Sequence, residues 1–536
     1  MQNENFYNKN TNSDINACTS RGACSLAPNI AALQELLILL LKEEAHYLLE
    51  LQSAGADNNK INLDIINDIA SLVSVNEFSE NQLYSIVLDN YYRLCNIKET
   101  YYEICKKMNI MSKDLESSVQ FSEKVPVSRA IALGERIFLE NYKKMSLIQK
   151  NLTDILAILI KSICIHLVKS SDFNSFDTNA YIQMLKSLDF MNKHSINEID
   201  LKNQIEQLAR EDSRIQLKIS SMLLDEFGGI SKVNVSHSTN KGKAILVSGN
   251  NFFDLLNVLE QTKDRNIDIY THSNLLITHA LNKFRDYPNL KGHYGDTTES
   301  CILDFATFPG AILLTKNSKS NTDYLYRGRL FSTDYTVPQG VIKIENNNFE
   351  ELINSAIESK GFKRGKLKQD SVVGYDIDEV DKKLDKIAQG LISGKISHLY
   401  IIGMDSYSEY QKEYYKQFFS KMKRDEYAIS FFYESNNKNV FTINIGNYLP
   451  LVTNIVKNFL DKYSIENNKI TFFCTTCNVM TISNIVMLKV RGANSIYMSD
   501  CSPTMINPST METFIKEYGV NITSDAITDI KYIRKN

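Results

Sequence analysis

The sequence predicts a multidomain protein in which an N-terminal α-helical bundle is followed by two doubly wound α/β (Rossmann-like) domains. Residues 28–225 carry apolar side chains at helical spacing almost throughout. After residue 240, short apolar runs alternate with helical patterns, which is typical of buried parallel strands and their crossover helices. Gly228 and Gly229 fall between these two regions, and paired glycines commonly end a helix.

The predicted division of the chain has four parts. Residues 1–27 are an asparagine-rich, flexible lead-in, and residues 28–228 are the helical bundle. Residues 240–360 form the first α/β domain and residues 370–536 form the second. The polar, lysine-rich stretch at 359–369 is interpreted as the linker between them.

The first helix of the bundle is indicated by leucines that recur every three or four positions between residues 31 and 51. Lys42, Glu43 and Glu44 are expected to mark the solvated side of this helix. Further helices are predicted near residues 62–74, 80–108, 128–144, 147–169, 177–190 and 196–225.

The strands of both α/β domains are predicted from short, continuous apolar runs, since strands buried on both faces show no alternation of polar and apolar residues. In the first domain these runs are Ala244–Val247, Ile267–Tyr270 and Ala311–Leu314. In the second domain they are Leu399–Ile402, Ala428–Phe432, Val440–Ile445, Ile470–Phe473 and Ile496–Met498.

Composition and charge argue against several classes of partner and location. The formal net charge is −3 and the sequence pI is about 6.3, so no global attraction to nucleic acid or to anionic lipid is expected. The better of two membrane candidates, Leu152–Val168, contains Asp154 and Lys161, so we expect a buried helix face there instead of a membrane span. The nine cysteines are odd in number and dispersed, unlike a disulfide framework, and no basic and apolar leader opens the chain, which together favour a cytoplasmic location.

The carboxyl ends of the predicted strands are where α/β proteins place their ligands. Asn274 is typical of the residues at these ends, because it comes just after the run at 267–270 and bears an amide, which is a poor metal ligand and cannot act as a general base. The full set of strand-end positions is Asn250, Asn274, Ser318, Met404, Tyr433, Tyr448, Asn478 and Met480. Iron–sulfur chemistry needs thiolates, and non-haem iron needs imidazole or carboxylate. The sequence therefore predicts a cleft placed for a cofactor but nearly without ligands, with only Asp405 and His272 nearby as exceptions.

Several segments give the chain a family resemblance. Near the N-terminus, Ala17–Cys24 is followed by Pro28–Leu37, and in the middle of the chain further segments follow in order without large gaps. These segments are Lys243–Gly249, Thr271–His272, His279, Gly292–Gly295, Phe308–Gly310 and Arg329–Phe331. With them the chain resembles the hybrid cluster proteins, also called the prismane or hydroxylamine reductase family, over essentially its whole length. The resemblance implies a prismane and carbon monoxide dehydrogenase-like fold.

The resemblance also implies an N-terminal cubane motif, C-x2-C followed by C-x5-C, of which only the second half is present. Cys18 and Cys24 remain, and Tyr7 and Asn10 stand in place of the first pair. The two cysteines are interpreted either as a remnant without metal or as half of an iron–sulfur cluster shared across a dimer, because a complete cubane takes four thiolates.

By the same resemblance, the strand-end positions correspond to the ligands of the hybrid cluster. Asn250 and Asn274 stand where the family has a histidine and a glutamate, and Met404 stands where it has a persulfide-bearing cysteine. The remaining former ligand positions hold a hydroxyl, phenol, amide or thioether and are Ser318, Tyr433, Tyr448, Asn478 and Met480. Because Tyr and Met are large and interiors penalise voids, we expect the cluster cavity to be repacked with side chains.

These departures favour a non-catalytic homologue, a pseudoenzyme with a structural or partner-binding role, no catalytic residue and no hybrid cluster. Such a chain is expected to form a homo-oligomer, or a hetero-oligomer with an active family member. The alternative is an iron–sulfur oxidoreductase of the hydroxylamine reductase or nitric oxide reductase type, with its ligands at other positions. A third interpretation is binding of a small apolar or aromatic molecule among Met404, Tyr433 and Tyr448.

Two pairs of residues raise the question of other metal sites. Cys474 and Cys477 have the spacing of half a zinc or redox site, but no second pair lies nearby, so a structural role is favoured over metal binding. His272 and His279 are seven residues apart and lack carboxylate or thiolate partners in the sequence. His279 is expected to be a satisfied core histidine, and His272 a surviving polar group of the former pocket.

Other polar motifs are assigned structural roles. Arg329 is expected to be buried and paired with a carboxylate such as Asp334. Gly292–Gly295 lacks the pattern of a phosphate-binding loop, and no Ser-His-Asp order with a nucleophile elbow is visible. The basic residues of Lys360–Lys368 have acidic neighbours and are interpreted as a solvated segment.

Overall fold

A computed structural model describes residues 27–55, 59–73, 78–115, 121–122, 124–193, 196–295, 301–316, 326–335, 337, 340–405, 407–463, 465–499 and 507–535. The chain divides into two compact units. The first draws on Met1–Val168, Phe176–Asp212 and Ser502–Tyr518, and the second on Lys169–Ser175, Ser213–Cys501 and Gly519–Asn536. Both large sheets lie in the second unit, so the boundary predicted between two separate α/β domains stays a prediction.

The described helices follow the predicted pattern of a helical region followed by helices that alternate with strands. In chain order they are α1 (Pro28–Ser53), α2 (Asn59–Ser71), α3 (Glu80–Met108), α4 (Val127–Lys144), α5 (Leu147–Asp172), α6 (Thr178–Phe190), α7 (Glu198–Glu226), α8 (Phe252–Thr262), α9 (Cys301–Thr307), α10 (Glu350–Glu358), α11 (Ile377–Ile392), α12 (Lys412–Lys421), α13 (Leu449–Lys462), α14 (Val479–Val490), α15 (Pro508–Tyr518) and α16 (Ala526–Ile533). Short 3-10 helices, such as Ser273–Ala280, connect some of the strands and helices.

The described strands form two large parallel sheets and one small antiparallel pair. In chain order they are β1 (Val233–Val235), β2 (Lys243–Ser248), β3 (Ile267–His272), β4 (Leu290–His293), β5 (Ala311–Leu314), β6 (Leu330–Ser332), β7 (Ile342–Lys343), β8 (Ser371–Val373), β9 (His398–Ile402), β10 (Glu426–Ser430), β11 (Val440–Thr442), β12 (Ile470–Cys474), β13 (Ser495–Met498) and β14 (Asn521–Ile522). Strands β1 and β8 pair with each other in antiparallel fashion.

The two six-stranded sheets share one topology. The first has the order β4-β3-β2-β5-β6-β7, and the second has the order β11-β10-β9-β12-β13-β14. Numbered within each sheet, both orders read 3-2-1-4-5-6, which is the arrangement of a doubly wound Rossmann fold. The predicted fold class is therefore confirmed, including all eight strands that the apolar runs indicated.

The first unit is built around α1, which packs against α3, α4 and α6. Pro28 occupies the first turn of α1, where a missing N–H costs nothing, and the leucines that follow form one buried face. Gly134 of α4 lets the two helices approach closely, because a β-carbon at that position would meet the Ala32 carbonyl oxygen at 1.9 Å. Helix α3 begins with a capping box between Ser79 and Gln82.

The prediction that Lys42, Glu43 and Glu44 face solvent is wrong for the two glutamates. Glu43 is 1% exposed and Glu44 is fully buried. Lys98 of α3 pairs with Glu43 at 2.9 Å, and Arg93 of α3 donates from Nε to Glu44 at 2.8 Å. The buried face of α1 is therefore wider than its leucine stripe, because α3 supplies the opposite charges that make carboxylate burial tolerable.

Helix α5 contains the better of the two membrane candidates. It is the one helix among the described residues that is long and apolar enough to cross a bilayer. However, 78% of that apolar window is buried inside the protein. This burial is what the core helix of a soluble protein shows, and it agrees with the prediction of a buried helix face.

The stretch 359–369 is more than a linker, which corrects the interpretation made from its composition. Its backbone forms antiparallel bridges from Phe362 to Gly242 and from Lys366 to Thr239. The Lys368 N–H also donates to the Ser238 hydroxyl at 3.0 Å. These bonds hold the segment against the residues that lead into β2.

Candidate functional site

Each large sheet has one point where the chain reverses its direction of winding. In the first sheet this point lies between β2 and β5, and in the second it lies between β9 and β12. Ligands of open α/β sheets bind in the crevice at the carboxyl ends of the two strands that flank this point. The predicted strand-end residues Asn250 and Met404 follow β2 and β9, so the structure places them at these two crevices.

At the first crevice, the ends of the two flanking strands are hydrogen-bonded to each other. The hydroxyl of Thr315, which directly follows β5, accepts hydrogen bonds from the backbone N–H groups of Asn250 at 3.0 Å and Asn251 at 3.2 Å. Asn251 then caps α8 by accepting from the Asp254 N–H at 2.9 Å. The backbone N–H groups of Asn250 and Asn251 are therefore satisfied within the chain.

A cluster of charged side chains lies beside the first crevice. Lys316 Nζ is 3.1 Å from the Asp172 carboxylate, which also accepts from the Asn251 amide at 2.6 Å. Asp254 accepts from the Thr333 hydroxyl at 2.6 Å, and burial raises its pKa to about 6. Sequence reasoning missed this cluster, because its acidic members lie on helices far along the chain from Lys316.

At the second crevice, a carboxylate takes the role that Thr315 has at the first. Asp405 is 3% exposed and accepts from the backbone N–H groups of Thr475 and Thr476, both at 2.7 Å. It also accepts from the hydroxyls of both threonines and from that of Thr481. The Asn484 amide donates to the neighbouring Met404 carbonyl at 3.1 Å. The ends of β9 and β12 are thus tied together by one buried acid.

Tyr448, which the sequence resemblance predicts to be a former ligand position, is a core side chain in this structure. It is 2% exposed, its ring centroid lies 4.9 Å from that of Phe252, and Lys169 Nζ lies 5.6 Å from its ring centroid. Burial, with a further contribution from Asp172, raises the pKa of its phenol well above the usual range. The phenol therefore stays protonated in the folded chain and packs as a neutral core side chain.

Tyr433 and Met404 are also buried, each at 4% exposure. The Tyr433 hydroxyl donates to the Ser408 carbonyl at 2.9 Å and accepts from the Ser408 N–H at 3.1 Å. Its ring stacks on that of Tyr415 with the centroids 4.5 Å apart. The Tyr433 hydroxyl thus both donates and accepts a hydrogen bond within the protein, and its ring packs on another tyrosine.

Asn478 and Met480 begin a helix. The Asn478 side chain is the N-cap of α14 and accepts from the Met480 N–H at 2.9 Å and the Thr481 N–H at 3.1 Å. An asparagine at this position is among the favoured caps, whereas a ligand would have to give up these bonds. The amide therefore serves the helix terminus.

His272 and Asn274 lie close together at the end of β3. His272 is buried and lies 2.8 Å from the Ser248 hydroxyl and 3.3 Å from the Asp304 carboxylate. Asn274 lies half-buried in the 3-10 helix Ser273–Ala280, where the sequence pattern had indicated an ordinary helix. The strand end predicted before Asn274 is present, two residues longer than the apolar run indicated.

The other histidines of this region collect around Thr271. His279 Nε2 and His293 Nδ1 each lie 2.9 Å from its hydroxyl oxygen. The rings of His237 and His293 meet edge to face at 5.7 Å. Burial lowers the pKa of His279 to about 4 and that of His293 well below its usual range, so both rings are neutral. His279 is accordingly a core histidine.

The sulfurs of Cys474 and Cys477 are thiols and not halves of a disulfide, and Cys474 is fully buried on β12. Cys18, Cys24 and Ser318 lie outside the described residues. Within the described ranges, no group of three or more His, Cys, Asp or Glu side chains is arranged to hold a metal ion.

Arg329 does not pair with Asp334 as expected. Its guanidinium donates to backbone carbonyls, to Gly310 at 2.7 Å and Phe305 at 3.1 Å, and to Phe308. The arginine therefore holds the end of α9 against the start of β5. Its planar array of donors suits several carbonyls as well as it suits a carboxylate.

The fold combines a helical region with two sheets of Rossmann-type topology. At the crevice of each sheet, the ends of the two flanking strands are hydrogen-bonded to each other. A profile of the Prismane/CO dehydrogenase family matches residues 11–430. The chain therefore belongs to the Prismane/CO dehydrogenase family, which confirms the resemblance seen in the sequence.

Individual relatives carry the name hydroxylamine reductase. The chain is 23% identical over 539 residues to that of Thermodesulfovibrio yellowstonii, with 97% of this chain and 98% of the relative covered. It is 24% identical over 550 residues to that of Thermosipho melanesiensis, with 96% and 97% covered. Among solved structures, a nickel-free carbon monoxide dehydrogenase from Thermococcus sp. AM4 aligns with a TM-score of 0.46 at 10% identity, covering 96% of this chain and 86% of that one.

The hybrid cluster that the family resemblance implies does not fit the donors at the described positions. These donors are amides, thioethers and phenols at Asn250, Asn274, Met404, Tyr433, Tyr448, Asn478 and Met480. Iron in such clusters is held by thiolate, imidazole and carboxylate groups. The side chains at four of these positions are buried or hydrogen-bonded within the protein: Met404, Tyr433, Tyr448 and Asn478.

Proposed function

We propose that this chain is a non-catalytic member of the prismane family, a pseudoenzyme in which the hybrid-cluster pocket is repacked and which acts through structure or partner binding. The observation that carries the proposal is that both crevices are spanned by internal hydrogen bonds, through Thr315 at one and Asp405 at the other. Tyr448, buried against Phe252 at a former ligand position, supports it further. Cytoplasmic location, with no nucleic acid and no membrane as partner, is part of the proposal.

The test is iron and acid-labile sulfide analysis of the full chain purified without oxygen, together with hydroxylamine reduction by a chemically reduced viologen dye. We expect a colourless protein without stoichiometric iron and without turnover above the protein-free rate. A mixed iron–sulfur–oxygen cluster, or turnover that depends on bound iron, would overturn the proposal.

A matched variant distinguishes an iron–sulfur cluster held by Cys18 and Cys24 from a hybrid cluster. Cys18→Ser with Cys24→Ser removes the only two cysteines of the lead-in and leaves the crevices unchanged. Iron that disappears in this variant belongs to a cluster shared between two chains, whereas iron that stays belongs to another site. We expect neither chain to bind iron.

The second candidate function is an iron–sulfur oxidoreductase of the hydroxylamine reductase type. The observation in its favour is the name of the relatives, which match nearly the whole length of this chain. The hydroxylamine turnover assay decides between the two, because a pseudoenzyme gives no rate under any reductant.

The partner-binding part of the proposal rests on exposed apolar side chains. Met108, Ile110 and Met111 are 53%, 46% and 93% exposed at and just past the end of α3. Exposed methionines and aliphatic side chains of this kind are common at protein interfaces. We propose that the chain assembles with itself or with an active family member. Light scattering of the isolated chain and of its mixture with a hydroxylamine reductase from the same host, without and with Met111→Lys, measures which assembly forms.

A further inference from the structure

A separate cavity lies on the first sheet, beside α9 and under the segment at 362–368. Its volume is about 740 Å³, which is within the range of small-molecule sites. Its lining residues are His237, Thr239, Tyr294, Leu303, Asp304, Thr307, Phe362, Arg364, Gly365, Lys366 and Lys368. None of these residues belongs to the two crevices, and none is a former ligand position.

One wall of this cavity is cationic and fixed in place. Arg364, Lys366 and Lys368 line it from a single segment. The backbone of that segment is hydrogen-bonded in both directions between Lys366 and Thr239, at 2.9 and 3.0 Å. The Ser238 hydroxyl bonds the backbone of Lys368 at 3.0 and 3.2 Å. These backbone contacts fix the positions of Lys366 and Lys368 at the cavity wall.

These cations have no ion-pair partner within the described part of the chain. The carboxylate among the lining residues named above, that of Asp304, lies 3.3 Å from His272 Nε2. Three positive charges therefore face a cavity that contains a single acid directed toward a histidine. A group of like charges around a concave surface attracts an anion.

Another part of the lining is aromatic. Tyr294 and Phe362 lie with their ring centroids 6.1 Å apart at an angle of 49°. The Phe308 ring packs edge to face against both rings, with its centroid 5.1 Å from that of Tyr294 and 5.4 Å from that of Phe362. The Tyr294 hydroxyl is 3.1 Å from the Thr307 hydroxyl, which fixes the ring at the cavity wall. Partly buried aromatic rings and cations that line one cavity suit a planar ring that carries a negative group.

We propose that this cavity binds a planar aromatic anion of mononucleotide size, with its ring on Tyr294 and Phe362 and its negative group on Arg364, Lys366 and Lys368. The ring and the charge act together, since neither the stacking surface nor exposed cations alone give tight binding. The site is independent of the crevices and of whether the chain holds iron.

The experiment is isothermal titration calorimetry of the full chain with AMP and with FMN, each a ring joined to a phosphate. Adenosine, riboflavin and inorganic phosphate serve as partial probes. We expect AMP or FMN to bind with a Kd at or below about 100 µM, at least about tenfold tighter than its own partial probes. Binding should weaken as salt is raised from about 50 to 300 mM, because exposed charges are screened.

Variants locate the site. Arg364→Ala and Lys368→Ala are exposed changes that should each weaken binding about three- to tenfold, and together more than tenfold. Lys363→Ala is the matched control, because Lys363 is a cation of the same segment that does not line the cavity. Phe362→Leu should remove the stacking contribution, about fivefold or more. The proposal is overturned if neither AMP nor FMN binds, if phosphate alone binds as tightly as they do, or if the control weakens binding as much as the cavity variants.

Discussion

Asp405 offers the sharpest test of how the second crevice is held closed. Replacing it with alanine removes the acceptor for the backbone N–H groups of Thr475 and Thr476, at 2.7 Å each, and for hydroxyls of both residues. Thr475 is 1% exposed, so water has little access to the donors that are left behind. The carboxylate also joins the ends of β9 and β12, which come from separate parts of the chain.

The cost depends on the number of donors that lose their partner. A buried donor left unsatisfied costs about 1–3 kcal/mol, and bonds to a charged acceptor lie in the upper part of that range. With two backbone N–H groups involved, we expect Asp405→Ala to lower the free energy of unfolding by about 3–5 kcal/mol. For a folded unit of this size that corresponds to a decrease in Tm of roughly 5–10 °C.

The assay is thermal unfolding followed by circular dichroism and by calorimetry. Asp370→Ala is the control, because Asp370 is exposed on the segment before β8 and should change the free energy of unfolding by less than about 0.5 kcal/mol. Asp405→Asn keeps one acceptor oxygen and should fall between the wild type and the alanine variant. A loss under about 1 kcal/mol in Asp405→Ala would refute the view that this carboxylate holds the crevice together.

Three further predictions concern stability. Tyr448→Ala should cost about 3–5 kcal/mol in chemical unfolding because it empties a fully packed site, while Tyr448→Phe keeps the ring and should cost under about 1.5 kcal/mol. Arg93→Ala should cost about 3–5 kcal/mol because it leaves buried carboxylates without their partner, whereas Arg136→Ala, in an exposed pair, should cost under about 0.5 kcal/mol. The hydrogen bond to Asp189 raises the pKa of His46 in the folded state, so its stabilisation is complete below the unfolded pKa of about 6.5 and is lost as pH rises through the higher folded value. Urea midpoints measured between about pH 6 and 9 should fall across that window in the wild type, and His46→Gln should flatten the decline; an unchanged slope in the variant would contradict the assignment.

The central strands that sequence reasoning found differ in length and burial from β7, which it missed. β2, β5 and β9 each contain a continuous apolar run and lie at the centre of a sheet, where both faces are covered and the composition alone is distinctive. β7 has only two residues and lies at a sheet edge. A run that short has no periodicity to detect. Edge strands of this kind are specified by their neighbours and not by their own residues.

The error at Glu43 and Glu44 has a related origin. A charged residue on a helix normally faces water, and the local pattern gave no reason to expect otherwise. The partners that permit burial, Arg93 and Lys98, are on α3, about 50 residues further along the chain. Pairing at that separation is decided by helix packing, which a single sequence does not display.

The candidate site also contains some features that the sequence could predict and others that it could not. The places of Asn250 and Met404 just after β2 and β9 were predictable, because the end of a buried strand is visible in sequence and fixes where its next residues lie. The internal acceptors were not, since Thr315 and Asp405 act on backbone groups that sequence does not single out. In the sequence, Asp405 stands out only as an acid among amides and phenols. Its role as an acceptor for the facing strand end required the geometry.

The two crevices also show how a strand end can be satisfied without a ligand. The end of a parallel strand presents backbone N–H groups that must be satisfied by a ligand, by water or by the protein. At the first crevice a threonine hydroxyl accepts two of them, and at the second a carboxylate does the same. The same topology has therefore been closed twice by different side chains. A hydroxyl at one crevice and a carboxylate at the other are expected if each crevice was stabilised separately after its ligands changed. In that case, a single surviving cluster ligand would contribute little on its own.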